Sequence, residues 1–343
     1  MALDISRRQA IFAAGLGGLV LGILLFSKPA MEAQQRNMVR IDGSSTVYPI
    51  SEAILKQFRQ TEAGKPIAVE AKFSGTSGGF RKFCAGETDI NGASRPINIK
   101  EMEACRKNVI PYIELPIAFD ALTVAVNPQN TWATSMTVAE LRKMWEPAAQ
   151  GKITRWNQVR STWPNRPLKL FGAGKDSGTF DYFTEAIMGK ADISRSDFTA
   201  SEDDAVLVRG VSQDTNALGF FGFAYFEANA AKLKAVAIDS GKGPVLPSQQ
   251  TVLRNQYQPL ARPLFIYVNA RAAQTKPGLR AFVEYYLKNA ERVVGKVGYI
   301  PLPADGYRLA QIHFTRGKVG TVFDGRAQLD LTLEALLRKQ AAF

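Results

Sequence analysis

The fold is indicated most clearly by residues 39–58, VRIDGSSTVYPISEAILKQF, in which a strand, a polar loop and an amphipathic helix follow one another. Val39 to Asp42 has the composition of a short buried strand. From Val47 to Phe58 the apolar residues recur at intervals of three and four, which is the pattern of one helix face. The order strand, loop, helix is the repeating unit of a mostly parallel α/β sheet.

The same alternation continues along the chain and predicts an α/β fold throughout. Further strands are predicted at Ile67–Phe73, Ile90–Ser94, Ile113–Phe119, Leu122–Val126, Leu168–Ala173, Leu218–Phe221, Lys234–Ile238 and Leu264–Val268. Further helices are predicted at Phe80–Cys84, Val138–Trp145, Thr179–Met188, Gly278–Leu287 and Leu329–Gln340. Residues 146–167 are rich in Trp, Asn, Arg and Pro, and we expect them to form a long connection.

The composition is that of a globular protein that favours anionic partners. Of its 343 residues, 46% are hydrophobic and 22% are charged, and the formal net charge is +12. A positive field attracts anions, but the basic residues are scattered and form no run typical of a nucleic-acid-binding arm. With one histidine, His313, and two cysteines, the sequence predicts no metal site. We therefore expect a small anion rather than nucleic acid as the partner.

Residues 1–38 are expected to be a secretory signal rather than part of the fold. Arg7 and Arg8 precede an uncharged apolar stretch, Ala10–Phe26, and polar residues follow it, which is the order found in signal peptides. The arginine pair also permits a twin-arginine signal. Because the 17 apolar residues reach the lower limit for crossing a bilayer, an uncleaved N-terminal anchor is the alternative. Both interpretations predict an exported protein.

The two cysteines, Cys84 and Cys105, have two interpretations. In an exported protein they can form a disulfide, because the compartment is oxidising. Alternatively they are two buried thiols, since Cys84 falls on the apolar side of a predicted helix. The sequence leaves both interpretations open.

Three Gly/Ser/Thr loops, each between a strand and a helix, give the strongest indication of function. They are residues 42–46, DGSST, residues 74–79, SGTSGG, and residues 176–179, DSGT. The first N–H groups of a helix lack partners and carry partial positive charge, while glycines allow close approach and hydroxyls donate further hydrogen bonds. Helix capping alone explains the Ser, Thr and Asp residues but does not require the repeated glycines. We expect the three loops to converge on one tetrahedral oxyanion.

Four segments resemble the periplasmic phosphate-binding proteins of ABC transporters, and they are similar to the cyanobacterial members of that family. The segments are residues 42–49, DGSSTVYP, 73–79, FSGTSGG, 89–96, DINGASRP, and 175–180, KDSGTF. The resemblance implies a type II periplasmic-binding-protein fold, with two α/β lobes, a central cleft and two crossover hinge strands. It also implies a monomeric binding protein, without catalytic activity or cofactor, that delivers inorganic phosphate to the membrane permease of an ABC transporter.

The resemblance also assigns the lobes and the residues of the site. Residues 39–123 and 265–343 are expected to form the first lobe, and residues 124–264 the second. The positions that match the family motifs place phosphate against Ser45, Thr46, Val47, Tyr48, Thr76, Ser77, Ser177, Gly178 and Thr179.

Position 95 departs from the pattern of many family members. Those members carry an aspartate that accepts the proton of hydrogen phosphate, whereas this chain has Arg95, and their arginine before the third loop is here Ala173. We therefore predict that Arg95 supplies the guanidinium of the site through bidentate hydrogen bonds. Because sulfate has no proton to donate, rejection of sulfate would depend on another acceptor. Asp42, Asp120 and Asp176 are the candidates.

Three other functions remain open from the sequence. The first is a binding protein for a different, sulfate-like oxyanion, and the second is a phosphate sensor or scavenger held at the membrane by its N-terminus. The third is a serine hydrolase, since residues 75–79, GTSGG, satisfy the nucleophile-elbow pattern. In that enzyme Ser77 would be the nucleophile and His313 the base.

Overall fold

The computed structural model describes residues 38–329 and 331–343, and its strands form three sheets. The strands are β1 (Val39–Gly43), β2 (Val69–Ala71), β3 (Ile90–Ala93), β4 (Tyr112–Ala121), β5 (Thr123–Val126), β6 (Ser135–Thr137), β7 (Lys169–Ala173), β8 (Thr199–Ser201), β9 (Ala217–Phe221), β10 (Lys234–Ala235), β11 (Ala237–Asp239), β12 (Pro244–Val245), β13 (Ala261–Asn269) and β14 (Ile300–Pro301). The sheets have six strands in the order β14-β4-β13-β3-β1-β2, five in the order β10-β5-β9-β7-β8, and three in the order β12-β11-β6.

Helices cover the faces of these sheets and bury their apolar sides against them. They are α1 (Tyr48–Phe58), α2 (Thr76–Cys84), α3 (Ile99–Lys107), α4 (Val138–Trp145), α5 (Trp156–Val159), α6 (Gly178–Met188), α7 (Asp204–Gln213), α8 (Phe223–Glu227), α9 (Gln249–Leu253), α10 (Ala270–Thr275), α11 (Pro277–Lys296), α12 (Ala304–Arg316) and α13 (Leu333–Ala342). A short 3₁₀ helix spans Pro147–Ala149. None of the helices in the described ranges is long and apolar enough to cross a membrane.

Two long strands connect the two larger sheets. Strand β4 ends at Ala121 in the six-stranded sheet, and the chain passes through Leu122 directly into β5 of the five-stranded sheet. It returns through β13, which begins at Ala261 and pairs antiparallel with β4. We call the part built on the six-stranded sheet the first lobe and the part built on the other two sheets the second lobe. The predicted architecture of two α/β lobes joined by two crossing strands is confirmed.

Several predicted boundaries were wrong. The predicted strand Lys234–Ile238 is two strands, β10 and β11, which belong to different sheets. Helix α3 was not predicted because Cys105 is its only buried residue, so that its apolar pattern is weak. Its start is instead defined by a capping box, in which the Asn98 side chain and the Glu101 side chain each bond the other's backbone N–H.

The N-terminal prediction falls almost entirely outside the described residues. The expected signal or anchor covers residues 1–38, of which the structure describes Met38 alone.

A disulfide joins Cys84 to Cys105 in the structure. Cys84 is the last residue of α2, and Cys105 lies on the buried face of α3. Of the two interpretations that the sequence left open, the structure therefore has the disulfide, which fastens α3 to the helix that begins at the second Gly/Ser/Thr loop.

We expect the double variant Cys84→Ala/Cys105→Ala to lose about 3 kcal/mol of unfolding free energy, since the bond closes a loop with a sequence separation of 21. Urea denaturation measures this loss. A reductant should lower the stability of the unmodified protein by a similar amount and leave the variant unchanged. Equal sensitivity of both proteins to the reductant would contradict the assignment.

Candidate anion-binding site

The predicted loops meet because their strands run parallel. Strand β1 pairs in parallel with β2 on one side and with β3 on the other, so the segments that follow them leave the same edge of the first lobe. These segments carry Thr46, Thr76 and Ser94. In the second lobe β7 lies parallel to its neighbours β8 and β9, and the third loop follows it. The two edges face each other.

Hydroxyl groups from the loops form one buried cluster across the two lobes. Thr46 Oγ1 and Thr179 Oγ1 are 3.2 Å apart, and Thr76 Oγ1 and Ser94 Oγ are also 3.2 Å apart. All four side chains are fully buried, at 0% exposure. The first and third loops therefore touch directly.

Two glycines allow the second and third loops to approach each other. An added Cβ at Gly178 would overlap the Thr76 hydroxyl and lie 2.7 Å from the Ser94 hydroxyl. Gly75 has φ +80°, a conformation that side chains disfavour, and a Cβ there would overlap the Asp176 carbonyl. The glycines that capping does not explain are thus the residues at which the backbones of the two lobes come together.

A buried ion pair lies beside the hydroxyl cluster. Arg262 and Asp120 are both 0% exposed, and Arg262 donates to Asp120 Oδ2 through Nη2 at 2.9 Å and through Nε at 3.1 Å. Nη2 also donates to Thr179 Oγ1 at 2.9 Å, and Nη1 to the Gly178 carbonyl at 3.3 Å. The second carboxylate oxygen of Asp120 accepts the Phe223 N–H at 2.9 Å. The guanidinium therefore connects the crossing strands to the third loop.

Two helix starts add positive potential to this place. Helix α2 begins at Thr76 and α6 at Gly178, and the first N–H groups of a helix favour negative charge. The Ser177 hydroxyl caps α6 by accepting the Thr179 N–H at 3.1 Å. The cluster thus combines a paired positive charge, hydroxyls that can donate, and the positive ends of two helix dipoles.

The first loop contributes less backbone than predicted. The N–H groups of Val47 and Tyr48 both donate to the Ser44 carbonyl, at 3.1 and 3.0 Å, and so close a local turn. Thr46 is the residue of this loop whose hydroxyl enters the cluster. The predicted roles of Val47 and Tyr48 as backbone donors to an anion do not fit this geometry, because a bonded N–H is no longer available.

Ser45 bonds a buried carboxyl group instead of joining the cluster. Its hydroxyl donates to Asp204 Oδ2 at 2.8 Å across the two lobes, and the Tyr225 hydroxyl donates to the Ser45 carbonyl at 3.1 Å. Burial raises the pKa of Asp204 to about 7, although the hydrogen bond from Ser45 and the charge of Arg262 act in the opposite direction. Near neutral pH Asp204 therefore carries less negative charge than an ordinary aspartate, which suits the neighbourhood of an anion site.

Arg95 lies in a different network from the hydroxyl cluster. Its Nε donates to Asp181, Nη1 donates to Glu101 at 2.8 Å and to the Pro96 carbonyl at 3.0 Å, and Nη2 donates to Glu101 at 2.8 Å and to Ser77 Oγ at 2.7 Å. Burial disfavours its charge, but the two carboxylates outweigh this and raise the pKa of Arg95. The prediction that Arg95 supplies a guanidinium to the anion does not fit this arrangement, because all five of its N–H groups already have acceptors. Arg262 differs, since its Nη1 has a single acceptor in the part of the chain that the structure describes, the Gly178 carbonyl.

The three carboxylates proposed as acceptors of the phosphate proton lie in different surroundings. Asp42 Oδ2 pairs with Lys82 at 2.5 Å, and Asp176 forms a bidentate pair with Arg81 at the surface. Of the three carboxylates that the sequence suggested, Asp120 lies next to the hydroxyl cluster.

Arg262 and Ser94 were missed by the sequence reasoning, although each had a signal. Ser94 is part of the quoted segment 89–96 but was given no role. The strand predicted at Leu264–Val268 left out Arg262 and Pro263, and a proline is uncommon inside a strand. In the structure Pro263 lies within β13 opposite Phe119. A charged residue next to an otherwise apolar strand was the available signal.

The hydrolase alternative is not favoured. The Ser77 hydroxyl accepts from Arg95 and lies 3.4 Å from Asp181 Oδ2. His313 is on α12, where its ring packs 5.7 Å from that of Phe343. Among the described residues, no hydrogen bond joins Ser77 to His313.

Comparison with known proteins places these two lobes and their loops in a family of binding proteins. Residues 28–290 match PBP_like_2, the PBP superfamily domain. Protein SphX of Synechocystis sp. (strain ATCC 27184 / PCC 6803 / Kazusa) is 56% identical over 94% of this chain and 95% of its own length. The phosphate-binding protein PstS of Staphylococcus saprophyticus subsp. saprophyticus is 34% identical over 78% of this chain and 82% of its own.

A crystal structure agrees with these relatives. It is that of "a possible phosphate binding protein from Planctomyces limnophilus DSM 3776", which is 44% identical, has a TM-score of 0.61, and matches 82% of this chain and 98% of its own. The chain therefore belongs to the PBP superfamily, in the family that includes SphX and the PstS phosphate-binding proteins.

Proposed function

We propose that this protein binds inorganic phosphate between its two lobes and delivers it to the permease of an ABC transporter. The proposal depends on one observation, the hydroxyl cluster of Thr46, Thr76, Ser94 and Thr179 beside the buried pair of Arg262 and Asp120. Its relatives include proteins named as phosphate-binding, which supports this choice of oxyanion.

The chemistry of the cluster suits hydrogen phosphate. Hydroxyl and guanidinium groups donate to the oxygens of the ion, and charge-assisted bonds of this kind are the strong ones. Asp120 is the group that can accept the phosphate proton, since an ionised carboxylate is purely an acceptor with about four lone-pair sites. Lobe closure removes water from the site and strengthens each of these bonds. No bond is made or broken in this function, and we propose a binding protein without turnover.

Titration calorimetry with phosphate, arsenate and sulfate tests the proposal. We expect binding of phosphate and arsenate and rejection of sulfate, because sulfate would meet the Asp120 carboxylate without a proton to share. The variant Asp120→Asn should reduce the ratio of phosphate to sulfate affinity by at least about 100-fold, since a site built to bond a ligand hydroxyl discriminates strongly against ligands that lack it.

The control is Asp42→Asn, which removes a carboxylate that pairs with Lys82 and bonds Ser74 rather than a hydroxyl of the cluster. Its affinity ratio should match that of the unmodified protein. An unmodified protein that prefers sulfate would contradict phosphate as the ligand, and an unchanged ratio in Asp120→Asn would contradict the role of Asp120.

The cellular setting is part of the same proposal. We assign the protein to the periplasm, exported by the segment 1–38. We propose the lobe boundaries expected from the sequence, residues 39–123 and 265–343 for the first lobe and residues 124–264 for the second, with Thr123 and residues 261–264 at the crossing between the lobes. Phosphate uptake by a strain that lacks this protein distinguishes transport from sensing or scavenging. Uptake should be lost if this protein delivers phosphate to the permease.

A further inference from the structure

Tyr299 brings an unpaired hydroxyl group to the candidate site. Its side chain is 2% exposed, and among the described residues its Oη has no hydrogen-bond partner. Buried Tyr307 in the same lobe is different, because its hydroxyl donates to the Ile117 carbonyl at 2.8 Å. Buried hydroxyls are nearly always hydrogen-bonded, and an unpaired one is unfavourable. The Tyr299 hydroxyl therefore needs an explanation.

Strand register places Tyr299 beside the buried ion pair. Strand β14 pairs antiparallel with β4, with Ile300 opposite Phe119. The next step of the same register brings Tyr299 opposite Asp120, and β13 brings Arg262 opposite Asp120 from the other side. Tyr299, the residue just before β14, thus extends the row formed by Asp120 on β4 and Arg262 on β13.

The position of Gly222 shows where the tyrosine hydroxyl ends. A Cβ on Gly222 would lie 3.3 Å from Tyr299 Oη, 3.1 Å from Thr46 Cγ2 and 3.6 Å from Thr46 Oγ1. The Tyr299 hydroxyl and the Thr46 side chain therefore both lie against Gly222 of the second lobe. Burial, together with the nearby Asp120 charge, raises the pKa of Tyr299 well above its ordinary value. The group consequently remains a proton donor at physiological pH.

We infer that the Tyr299 hydroxyl donates a hydrogen bond to the bound oxyanion, as a further ligand-binding residue of the site. This inference rests on the proposed function. None of the three Gly/Ser/Thr loops contains Tyr299, which is why the loop motifs do not indicate it. A tetrahedral ion with four oxygens needs many donors, and the hydroxyl supplies one from the sheet rather than from a loop.

Calorimetric titration of Tyr299→Phe with inorganic phosphate tests this role. The variant keeps the ring and its packing, and it loses no hydrogen bond to a described residue, so its ligand-free melting temperature should stay close to that of the unmodified protein. Its phosphate affinity should fall by about 10- to 100-fold, the range expected for one hydrogen bond to a charged group.

Tyr307→Phe is the matched control. It removes a hydroxyl that bonds the protein, so its melting temperature should fall while its phosphate affinity stays within about twofold of the unmodified value. If the unmodified protein binds phosphate and Tyr299→Phe binds it equally well, the inference is wrong and the proposed function stands. Equal losses of affinity in both variants would also overturn it, by showing an effect of packing. If the unmodified protein does not bind phosphate, both the function and the inference fail.

Discussion

Replacing Arg262 by lysine is expected to weaken phosphate binding by at least about 100-fold. The guanidinium holds Asp120 through Nε and Nη2, donates to Thr179 through Nη2 as well, and reaches the Gly178 carbonyl through Nη1. A lysine keeps the charge but concentrates its donors at one nitrogen, which cannot span these acceptors in the same geometry. Titration calorimetry measures the change in affinity, and thermal unfolding measures the accompanying change in stability.

Arg195→Lys is the control for loss of a buried guanidinium. The side chain of Arg195 is also buried, with 4% of its surface exposed, and it pairs with Asp197. It donates to the Met144 and Ile153 carbonyls, and all of these partners belong to the second lobe. We expect its phosphate affinity to remain within about twofold of the unmodified value, because distant sites act independently. The assignment of Arg262 fails if Arg262→Lys binds phosphate normally, or if Arg195→Lys loses as much affinity.

The second large effect is expected from Gly178→Ala. A methyl group at this position would overlap the Thr76 hydroxyl and crowd that of Ser94, both of which belong to the opposite lobe. The lobes could then not come together, and we expect phosphate affinity to fall by at least about 100-fold, which corresponds to about 2.7 kcal/mol. The ligand-free protein should fold normally, since alanine is the better helix former. Calorimetry and small-angle scattering with and without phosphate measure both effects.

Gly295→Ala provides the comparison within a helix. Gly295 lies in α11, and an added Cβ would meet no atom within 4 Å. This variant should be slightly more stable, by about 1 kcal/mol, and should bind phosphate normally. Normal phosphate binding by Gly178→Ala would show that lobe closure does not require the contact of Gly178 with Thr76 and Ser94.

Local patterns in the sequence were enough to predict most of the strands and helices. Strands β1, β3, β5, β7 and β9 were predicted within a few residues, because each is a short apolar run bounded by polar residues. Helix α3 escaped prediction, since one buried residue gives no periodicity. Residues 234–238 were predicted as one strand because both halves are β-prone. Which sheet each half joins depends on tertiary pairing with β5 or β6, which no local pattern encodes.

The residues of the candidate site also differ in whether a local pattern or only tertiary pairing identifies them. The helix starts and glycines of the loops indicated an anion site, and the match to the family motifs assigned Thr46, Thr76, Gly178 and Thr179 to it. The partner of Asp120 could not be predicted, because the residues of the pair are separated by 142 positions and meet only through the register of β4 with β13. Arg95 was predicted to bind the anion because it lies in a family motif. Its carboxylate partner Asp181 comes from the other lobe, so this ion pair could not be predicted from the motif.

The location of the ion pair on the crossing strands has a mechanical consequence. Asp120 is the penultimate residue of β4, and Arg262 is the second residue of β13, so both stand at the point where the chain passes from one lobe to the other. In a rotation of two rigid bodies, displacement grows with distance from the axis, and atoms near the axis hardly move. The charged centre should thus keep its arrangement while the threonines and serines swing around it, which gives an incoming ion a fixed electrostatic target before the hydroxyls assemble.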